Sequence, residues 1–411
     1  MKENGLNWAR VWQCSWWMGL EWTREWPGYH GVGRYNLENA WRLDHLLELA
    51  RKNGVYFQLD TTNHGQLSLE IDSEWAHNPY NKNNPVDKGP LTLPRYFFST
   101  DDARKHYSKR IRYTTARWGY DPNIFSWILL TECEFTDPYW SVAYGNEESG
   151  RLPLLVQWQE YAAGLFKSWD PNHIVSTHFS HPWRGHDVFA SPAIEFVESN
   201  TYWQDWKFNE ELGGPEKDTI WINRHTYEKY VGVHNKPVII GEYGGHVKQN
   251  DPERLDIELH IGSWSMAMVP YAGSTGYWWW PWLHYMDRYS HLRAIVQFMK
   301  EEDRRGKNHK QVTPGVSGED LACLGLQTET EADLWVYHLK SRRRKPDDLD
   351  PVAGAVVSLE GLVDGAYQAE FWDTYAGKPT GKAKFNTTGG NLQIPLPQVR
   401  GDIAVKVRKV K

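Results

Sequence analysis

The chain has 411 residues and a net charge of −6 at pH 7, and its length suits one large domain followed by a smaller one. Acidic and basic residues are interspersed, which excludes the basic stripe of a nucleic-acid-binding protein and a polybasic patch for a membrane surface. The three cysteines are widely spaced and form no CxxC pair, and no apolar run is long enough to cross a bilayer, which argues against a disulfide framework, a structural zinc site and a membrane span.

Strands and helices alternate from the amino end to about residue 300. Short β-favouring runs predict strands at 6–13, 55–60, 124–134, 173–179, 194–203, 237–242 and 272–280. Amphipathic segments predict helices between them at 37–53, 100–119, 152–169, 219–233 and 254–267, and the segment 292–300 closes this part. The alternation predicts an α/β fold with a parallel sheet and helices outside, the pattern of a (β/α)8-type TIM barrel over residues 1–305.

Seven barrel strands are visible in the sequence instead of eight, and the first is the one that is missing. The strand at 6–13 is preceded only by a fragment at 2–5 that resembles the tail of a helix. We therefore expect a barrel that lacks its first strand, with a gap between 6–13 and 273–280, or with another segment filling that gap. A gene start placed too late would explain the gap and would also remove a signal peptide, in which case the protein would be secreted or periplasmic.

From about residue 310 the pattern changes to short runs of alternating polarity separated by turn signals. Such runs predict a small antiparallel β-sandwich over residues 310–411. A basic run at 341–345 lies within it, and we expect a solvated hairpin loop there.

Two of the predicted barrel strands end in a glutamate. Glu242 follows a buried apolar run and precedes glycines, and Glu132 lies near the end of the strand at 124–134. Because catalytic groups of a β/α barrel lie at the C-terminal ends of its strands, we expect the two carboxylates to face each other across the mouth. Two carboxyl groups roughly 5–5.5 Å apart suit a retaining glycosidase, in which one attacks the anomeric carbon and the other protonates the leaving oxygen. The alternative for Glu242 is a structural ion pair with an arginine.

Aromatic and histidine side chains are further candidates at the barrel mouth. Tryptophan occurs 24 times, more often than a core of this size requires, so we expect a share of the indole rings to line a groove and stack on sugar faces. His64, His178 and His181 follow predicted strands, where they are either hydrogen-bonded rim histidines or ligand contacts. No HxH or HExxH pattern is present, so we predict neither a metal nor another cofactor.

These motifs together resemble the clan A glycoside hydrolases. Residues 5–305 are similar to family 5-like enzymes of the cellulase and mannanase type, and the tail resembles the β-sandwich appended to many of them. The resemblance implies that Glu242 is the nucleophile, held ionised by an arginine and a tyrosine, and that Glu132 is the acid/base. The side chains that it places at the substrate or at the nucleophile are Arg10, His64, Tyr202, Trp278 and Trp280. Trp12, on the same strand face as Arg10, is a further candidate for substrate binding.

Two positions depart from the family's pattern. Thr131 stands just before the acid/base, where the clan has an asparagine that contacts the sugar 2-hydroxyl, and Asn200 stands where family 5 usually has histidine. We count both as candidate substrate-binding residues. Glu134 shares a strand face with Glu132 by the period of two and is the alternative acid, although the spacing favours Glu132.

The sequence therefore predicts a retaining glycoside hydrolase that cleaves β-linked glycosides or polysaccharides. A catalytically decayed barrel that only binds carbohydrate is the alternative, since the change at Thr131 would weaken catalysis. A different hydrolase on the same fold is a weaker alternative because no G-x-S-x-G motif is present. In each case we expect no nucleic acid and no membrane as a partner.

Overall fold

The computed structural model describes residues 1–143, 152–202, 218–244, 251–274 and 276–410. Its amino-terminal part contains parallel strands at Trp8–Trp12 (β1), Tyr56–Asp60 (β2), Ile124–Ile128 (β3), Ile174–Ser176 (β4), Val197–Thr201 (β5), Val238–Tyr243 (β6) and Gly273–Ser274 (β7). The helices of this part are Leu37–Asn53 (α1), Asp101–Trp118 (α2), Asp137–Ala143 (α3), Leu152–Trp169 (α4), His186–Ala190 (α5), Thr219–His225 (α6), Pro252–Ala267 (α7), Trp280–Tyr285 (α8) and Tyr289–Met299 (α9). Helix α6 continues as a π-helix at Thr226–Val231.

The strands of this part follow one another in space in the order of the sequence. β1 to β4 form one parallel sheet and β5 to β7 form another. A parallel bridge between Phe179, just after β4, and Ser199 of β5 joins the two sheets. Side chains from β1, β3, β4 and β6 meet in one apolar cluster that includes Trp8, Ile128 and Ile239. Because side chains from these distant strands meet only where a sheet curls around them, the prediction of a TIM-type barrel is confirmed.

β1 and β7 border the place where an eighth strand was expected. All five residues of β1 are partly exposed, whereas all six residues of β6 are buried. In the described ranges β1 pairs only with β2. The indole of Trp8 lies beside Gly273 of β7, 3.4 Å from the position that a Cβ on that glycine would take. The described residues thus supply seven barrel strands, and the indole of Trp8, which belongs to β1, lies between β1 and β7.

Local capping explains where the longer helices begin and end. α1 begins after Asn36, whose side chain accepts a hydrogen bond from the backbone N–H of Asn39, and it ends at Gly54 in the left-handed conformation. α2 begins after Thr100, which caps it in the same way, and has two aspartates in its first turn. None of the helices in the described ranges combines the length and apolarity that crossing a bilayer requires.

The prediction of a final strand that extends to Trp280 is wrong. β7 contains only Gly273–Ser274, and a single parallel bridge from Tyr277 to Tyr243 follows it. Trp280 is the first residue of α8, and Pro281 follows it in the first helical turn. Proline has no N–H to donate to a sheet and its fixed φ suits the start of a helix, so the tryptophan run turns away from the barrel wall at this point.

The carboxy-terminal part is an antiparallel β-sandwich. Its strands are Lys310–Val312 (β8), Gly315–Val316 (β9), Leu321–Gln327 (β10), Glu331–His338 (β11), Val356–Glu360 (β12), Gly365–Asp373 (β13), Lys378–Thr387 (β14), Asn391–Pro395 (β15) and Asp402–Lys409 (β16). One sheet has the order β14-β13-β16-β11-β10-β8 and the other β15-β12-β9. Side chains of both sheets form one buried apolar cluster, as the sandwich prediction requires.

The sandwich packs on α7 and α9 of the barrel. Trp264 and Phe298 of these helices lie in one apolar cluster with Trp335 and Trp372 of the sandwich, and the Phe298 and Trp372 rings are 5.5 Å apart.

The basic run at 341–345 is exposed at Arg343, Arg344 and Lys345, as predicted, but it is not a hairpin, because β11 and β12 on either side of it belong to different sheets, and it also reaches the barrel. Arg342 lies 3.0 Å from a carboxylate oxygen of Asp218, and Lys345 lies 3.0 Å from one of Glu253. Carboxylates on the neighbouring domain, which no local pattern reveals, hold the run in place.

Candidate active site

A layer of charged side chains lies inside the barrel at the C-terminal ends of its strands. Arg10 of β1 is at its centre and is surrounded by three carboxylates. Its Nη2 donates to Oδ2 of Asp60 at 2.6 Å, its Nη1 donates to Oε1 of Glu242 at 3.0 Å, and its Nε lies 3.5 Å from Oε1 of Glu198. These residues come from β1, β2, β5 and β6, so only closure of the barrel brings them together.

Glu242 is held by three donors. Besides Arg10, the hydroxyl of Tyr202 donates a short hydrogen bond to its Oε2, and Nδ2 of Asn200 donates to the same oxygen at 3.3 Å. Burial and the charge of Glu242 raise the pKa of Tyr202 well above its usual value, so this hydroxyl keeps its proton and remains a donor. A carboxylate with an arginine and two neutral donors is stabilised in its charged form.

The residue before Glu242 has to be small. A Cβ on Gly241 would lie 2.8 Å from Nε2 of His178 and 3.0 Å from both Nη1 of Arg10 and Oε1 of Glu198. The glycine therefore leaves the space in which these polar groups meet.

Glu132 lies four residues after the end of β3, just before a short 3-10 helix at Cys133–Phe135, in a left-handed backbone conformation with φ 46° and ψ 55°. Its backbone N–H donates to Nδ1 of His178 at 3.1 Å, its Oε2 lies 3.2 Å from Nδ1 of His64, and Nδ2 of Asn200 donates to its Oε1 at 3.2 Å. Burial raises the pKa of Glu132 to about 7; the His64 charge opposes this, and the negative charges of Glu242 and Glu134 add to it. The carboxyl group thus keeps its proton to near-neutral pH.

Asn200 sets an upper limit on the distance between the two carboxyl groups. Its Nδ2 contacts Oε1 of Glu132 at 3.2 Å and Oε2 of Glu242 at 3.3 Å. These two oxygens therefore lie no more than about 6.5 Å apart, which is the sum of the two distances. This limit lies above the roughly 5–5.5 Å of a retaining pair and at the lower end of the roughly 6.5–9.5 Å of an inverting pair.

The alternative acid, Glu134, is engaged elsewhere. It is fully buried, and its oxygens accept hydrogen bonds from the backbone N–H groups of Ser180 and His181 and contact Nδ1 of His181 at 2.9 Å. Thr131 is also fully buried, and its hydroxyl has no hydrogen-bond partner among the described residues. The geometry places Glu132, not Glu134 or Thr131, beside Glu242.

His64 and Trp12 lie next to the charged layer. His64 is buried, and Nε2 of its ring contacts Asp72 at 3.3 Å on the side away from Glu132. Burial lowers the pKa of His64, but the Asp72 hydrogen bond and the Glu132 charge outweigh it, so the pKa is raised overall. Trp12 follows Arg10 on the same face of β1, and the guanidinium carbon lies 5.5 Å from its ring centroid.

The predicted tryptophan floor is only partly at the site. Trp278 is 42% exposed and its ring lies edge-on to Tyr202, with 6.2 Å between the centroids. Trp280 is 67% exposed at the start of α8, and no contact joins it to the carboxylate pair in the described residues. Trp16 and Trp17, in the segment after β1, are more than half exposed. Exposed indoles therefore follow the two strands at the β1–β7 junction.

Sequence reasoning missed Glu198 and left the role of His178 open. Glu198 is fully buried, and burial raises its pKa to about 8 against the opposing charge of Arg10. His178 was expected to be either a hydrogen-bonded rim histidine or a ligand contact, and it is fully buried between Glu132 and Asn200. The period of two along β5 puts Glu198, Asn200 and Tyr202 on one face, and that signal could have found Glu198.

No protein-family model matches the chain. A protein from Oryza sativa subsp. japonica with the provisional name mannan endo-1,4-beta-mannosidase 9 is 25% identical over 254 residues, which are 54% of this chain and 56% of that protein. Mannan endo-1,4-beta-mannosidase F from Aspergillus fumigatus is 23% identical over 220 residues, 49% of this chain and 43% of that protein. The chain thus spans about half the length of the relatives it matches.

Solved structures match over nearly the whole chain. One described as a glycoside hydrolase has a TM-score of 0.60 at 13% identity and covers 99% of this chain and 86% of its own. A glycoside hydrolase family 5 structure from Bacteroides vulgatus has a TM-score of 0.58 at 12% identity and covers 99% and 83%. At such low identity these likenesses show the fold, and they confirm at that level the resemblance to glycoside hydrolases of the family 5 type with an appended sandwich.

Proposed function

We propose that the protein is a retaining glycoside hydrolase that cleaves β-linked glycosides or polysaccharides, with Glu242 as nucleophile and Glu132 as acid/base. The observation that carries this proposal is the single amide nitrogen of Asn200, which contacts one oxygen of each carboxyl group. The contact keeps one oxygen of each carboxyl group within about 6.5 Å of the other, which supports a double-displacement pair. The names of the relatives, which describe glycosidases, support the same class of reaction.

The two carboxyl groups have different environments, which suits their different roles. Arg10 and Tyr202 stabilise Glu242 as an anion, so it would attack the anomeric carbon as the bond to the leaving oxygen breaks. Glu132 has a pKa raised to about 7 by burial, so it would give its proton to that leaving oxygen. The product of this half-reaction is a glycosyl ester on Glu242 and an ionised Glu132.

The second half-reaction needs Glu132 as a base. The negative charge of Glu242 is one of the causes that raise the pKa of Glu132, and formation of the ester removes that charge. The pKa of Glu132 would therefore fall once its proton has been given away, which keeps it ionised. It would then take a proton from a water molecule whose oxygen attacks the anomeric carbon, and the ester bond to Glu242 would break.

The relatives named as mannan endo-1,4-beta-mannosidases favour a β-1,4-linked mannan as the substrate to test first. Exposed indoles after β1 and β7 suit the stacking of several sugar rings beyond the reacting one. Glucan and xylan of the same linkage are the matched comparison substrates, because they share the backbone linkage and differ in the sugar.

The test combines product stereochemistry with labelling. With mannan or an aryl β-mannoside, glucoside or xyloside, proton NMR of the first product should show the β anomer. A 2-fluoro aryl glycoside of the preferred sugar should attach to Glu242, as shown by mass spectrometry of the peptides, and Glu242→Gln should remain unlabelled. A label on Glu132 or Glu134, or an α anomer as first product, would contradict the roles. Binding of oligosaccharides without turnover would support the decayed barrel instead.

A further inference from the structure

We infer that His178 is a positioning residue that orients the amide of Asn200 toward both carboxyl groups. The inference rests on the proposed function and assigns a role to two side chains that come from different strands. A closed chain of hydrogen bonds carries it. This chain runs from the backbone of Glu132 through His178 and Asn200 back to the carboxyl group of Glu132.

The first step is the tautomer of His178. Its Nδ1 accepts the backbone N–H of Glu132 at 3.1 Å, so Nδ1 carries no proton. Nε2 then carries the ring proton and donates it to Oδ1 of Asn200 at 2.7 Å. His178 is fully buried, with Arg10 and His64 as the charged or titratable groups that act on it, and burial followed by the Arg10 charge lowers its pKa well below the usual value. The ring is therefore neutral and its tautomer is fixed.

The second step is the orientation of the amide. Because Oδ1 of Asn200 accepts from His178, Nδ2 has to point the other way. On that side lie Oε1 of Glu132 at 3.2 Å and Oε2 of Glu242 at 3.3 Å, both of which accept. An amide rotated by 180° would face a donor with its NH2 group and two carboxyl oxygens with its carbonyl, so the histidine excludes that arrangement.

The third step is the backbone of Glu132. Its left-handed conformation at φ 46° is rare for a residue with a side chain. The same His178 nitrogen that fixes the tautomer accepts the N–H of this residue. One ring thus holds both the backbone of Glu132 and the amide that contacts its carboxyl group.

The fourth step is the contrast with Thr131. This residue is fully buried, its backbone N–H donates to the carbonyl of Thr62 at 3.0 Å, and its hydroxyl has no hydrogen-bond partner among the described residues. It therefore gives no donor to the carboxyl pair. Of the two positions that depart from the family's pattern, Asn200 thus contacts the carboxyl pair and Thr131 does not.

The tautomer of His178 can be determined by NMR without an activity assay. In protein with ¹⁵N-labelled histidine, the His178 signal, assigned by its loss in His178→Gln, should show a bare Nδ1 and a protonated Nε2 from pH 5 to 8. A proton on Nδ1, or a charged ring in this range, would overturn the inference whether or not the protein is an enzyme. If the wild-type protein shows no turnover, the proposed function is refuted, whereas the tautomer assigned to His178 still stands.

The orientation of the amide is tested by a pH profile. Asn200→Asp replaces the NH2 group by an oxygen between two carboxyl groups, so it should lower kcat about 100-fold and move the alkaline limb of the profile up by at least about one pH unit. The matched control is Asn223→Asp, since Asn223 is an equally buried residue whose side-chain amide bonds Ser265 and the Gly262 carbonyl and no other partner among the described residues. It should lower stability and leave the limb in place. An alkaline limb that Asn200→Asp does not move would refute the assigned role.

Coupling between the two residues is the last check. His178→Ala and Asn200→Ala break the same chain of hydrogen bonds. The kcat of the double variant should therefore be reduced about as much as that of the more impaired single variant. Losses that multiply would show that the two side chains act independently, which contradicts the inference.

Discussion

Glu258, on α7 behind the last barrel strands, should make the stability of the protein depend on pH. Its side chain is buried and accepts a hydrogen bond from the Tyr277 hydroxyl at 2.6 Å. Burial raises its pKa from 4.5 to about 7, against the opposing effects of Tyr277 and Arg254. The folded state therefore keeps a proton that the unfolded state loses, so stability present below pH 4.5 is lost as the pH rises to about 7. This difference of 2.5 pH units corresponds to about 3 kcal/mol.

Glu258→Gln keeps the shape of the side chain and cannot ionise, so it should not lose this stability. Urea unfolding followed by tryptophan fluorescence should show the free energy of unfolding of the variant gaining about 3 kcal/mol on the wild type between pH 4.5 and pH 8. Tyr277→Phe, which keeps the carboxyl group and removes its donor, should be more sensitive to pH than the wild type. A difference between Glu258→Gln and wild type that stays constant over this range would refute the reasoning.

Gly241→Ala should lower kcat about 100-fold in steady-state assays, because its methyl group would lie 2.8–3.0 Å from three polar atoms of the site. Gly164→Ala is the control: it is an exposed position of α4 with nothing within 4 Å, where urea unfolding should show a gain of about 0.5–1 kcal/mol. Activity on a natural glycoside should fall as the pH rises through about 7, where Glu132 loses its proton. When Glu132→Ala is assayed with an activated aryl glycoside, its activity should no longer fall as the pH rises through about 7. A fall that persists in the variant would assign the acid to another residue. Asp402→Ala leaves a buried indole N–H and a hydroxyl without their acceptor, so thermal unfolding should show a loss of about 3 kcal/mol, and a loss below about 0.5 kcal/mol would contradict this account.

Local patterns in the sequence determined the order of the elements and the strand ends that carry the main side chains. The apolar run before Glu242, the strand before Glu132 and the period of two along β1 and β5 predict which side chains point into the barrel. Each of these signals lies within a few residues, because a strand alternates its faces whatever surrounds it. The limit of such signals is visible after β7, where a strand pattern continues through the tryptophans but Pro281 starts a helix.

Only the tertiary structure decided which of the inward side chains meet. Arg10, Glu198 and Glu242 are separated by up to 232 residues in the chain, and the contact of one amide with both Glu132 and Glu242 depends on how β3, β5 and β6 are staggered around the barrel. The neutral tautomer of His178 and the pKa values of Glu132 and Glu198 follow from burial among these partners. The physical reason is that a strand fixes the direction of a side chain, whereas its partners, its dielectric surroundings and therefore its protonation state are properties of the closed sheet.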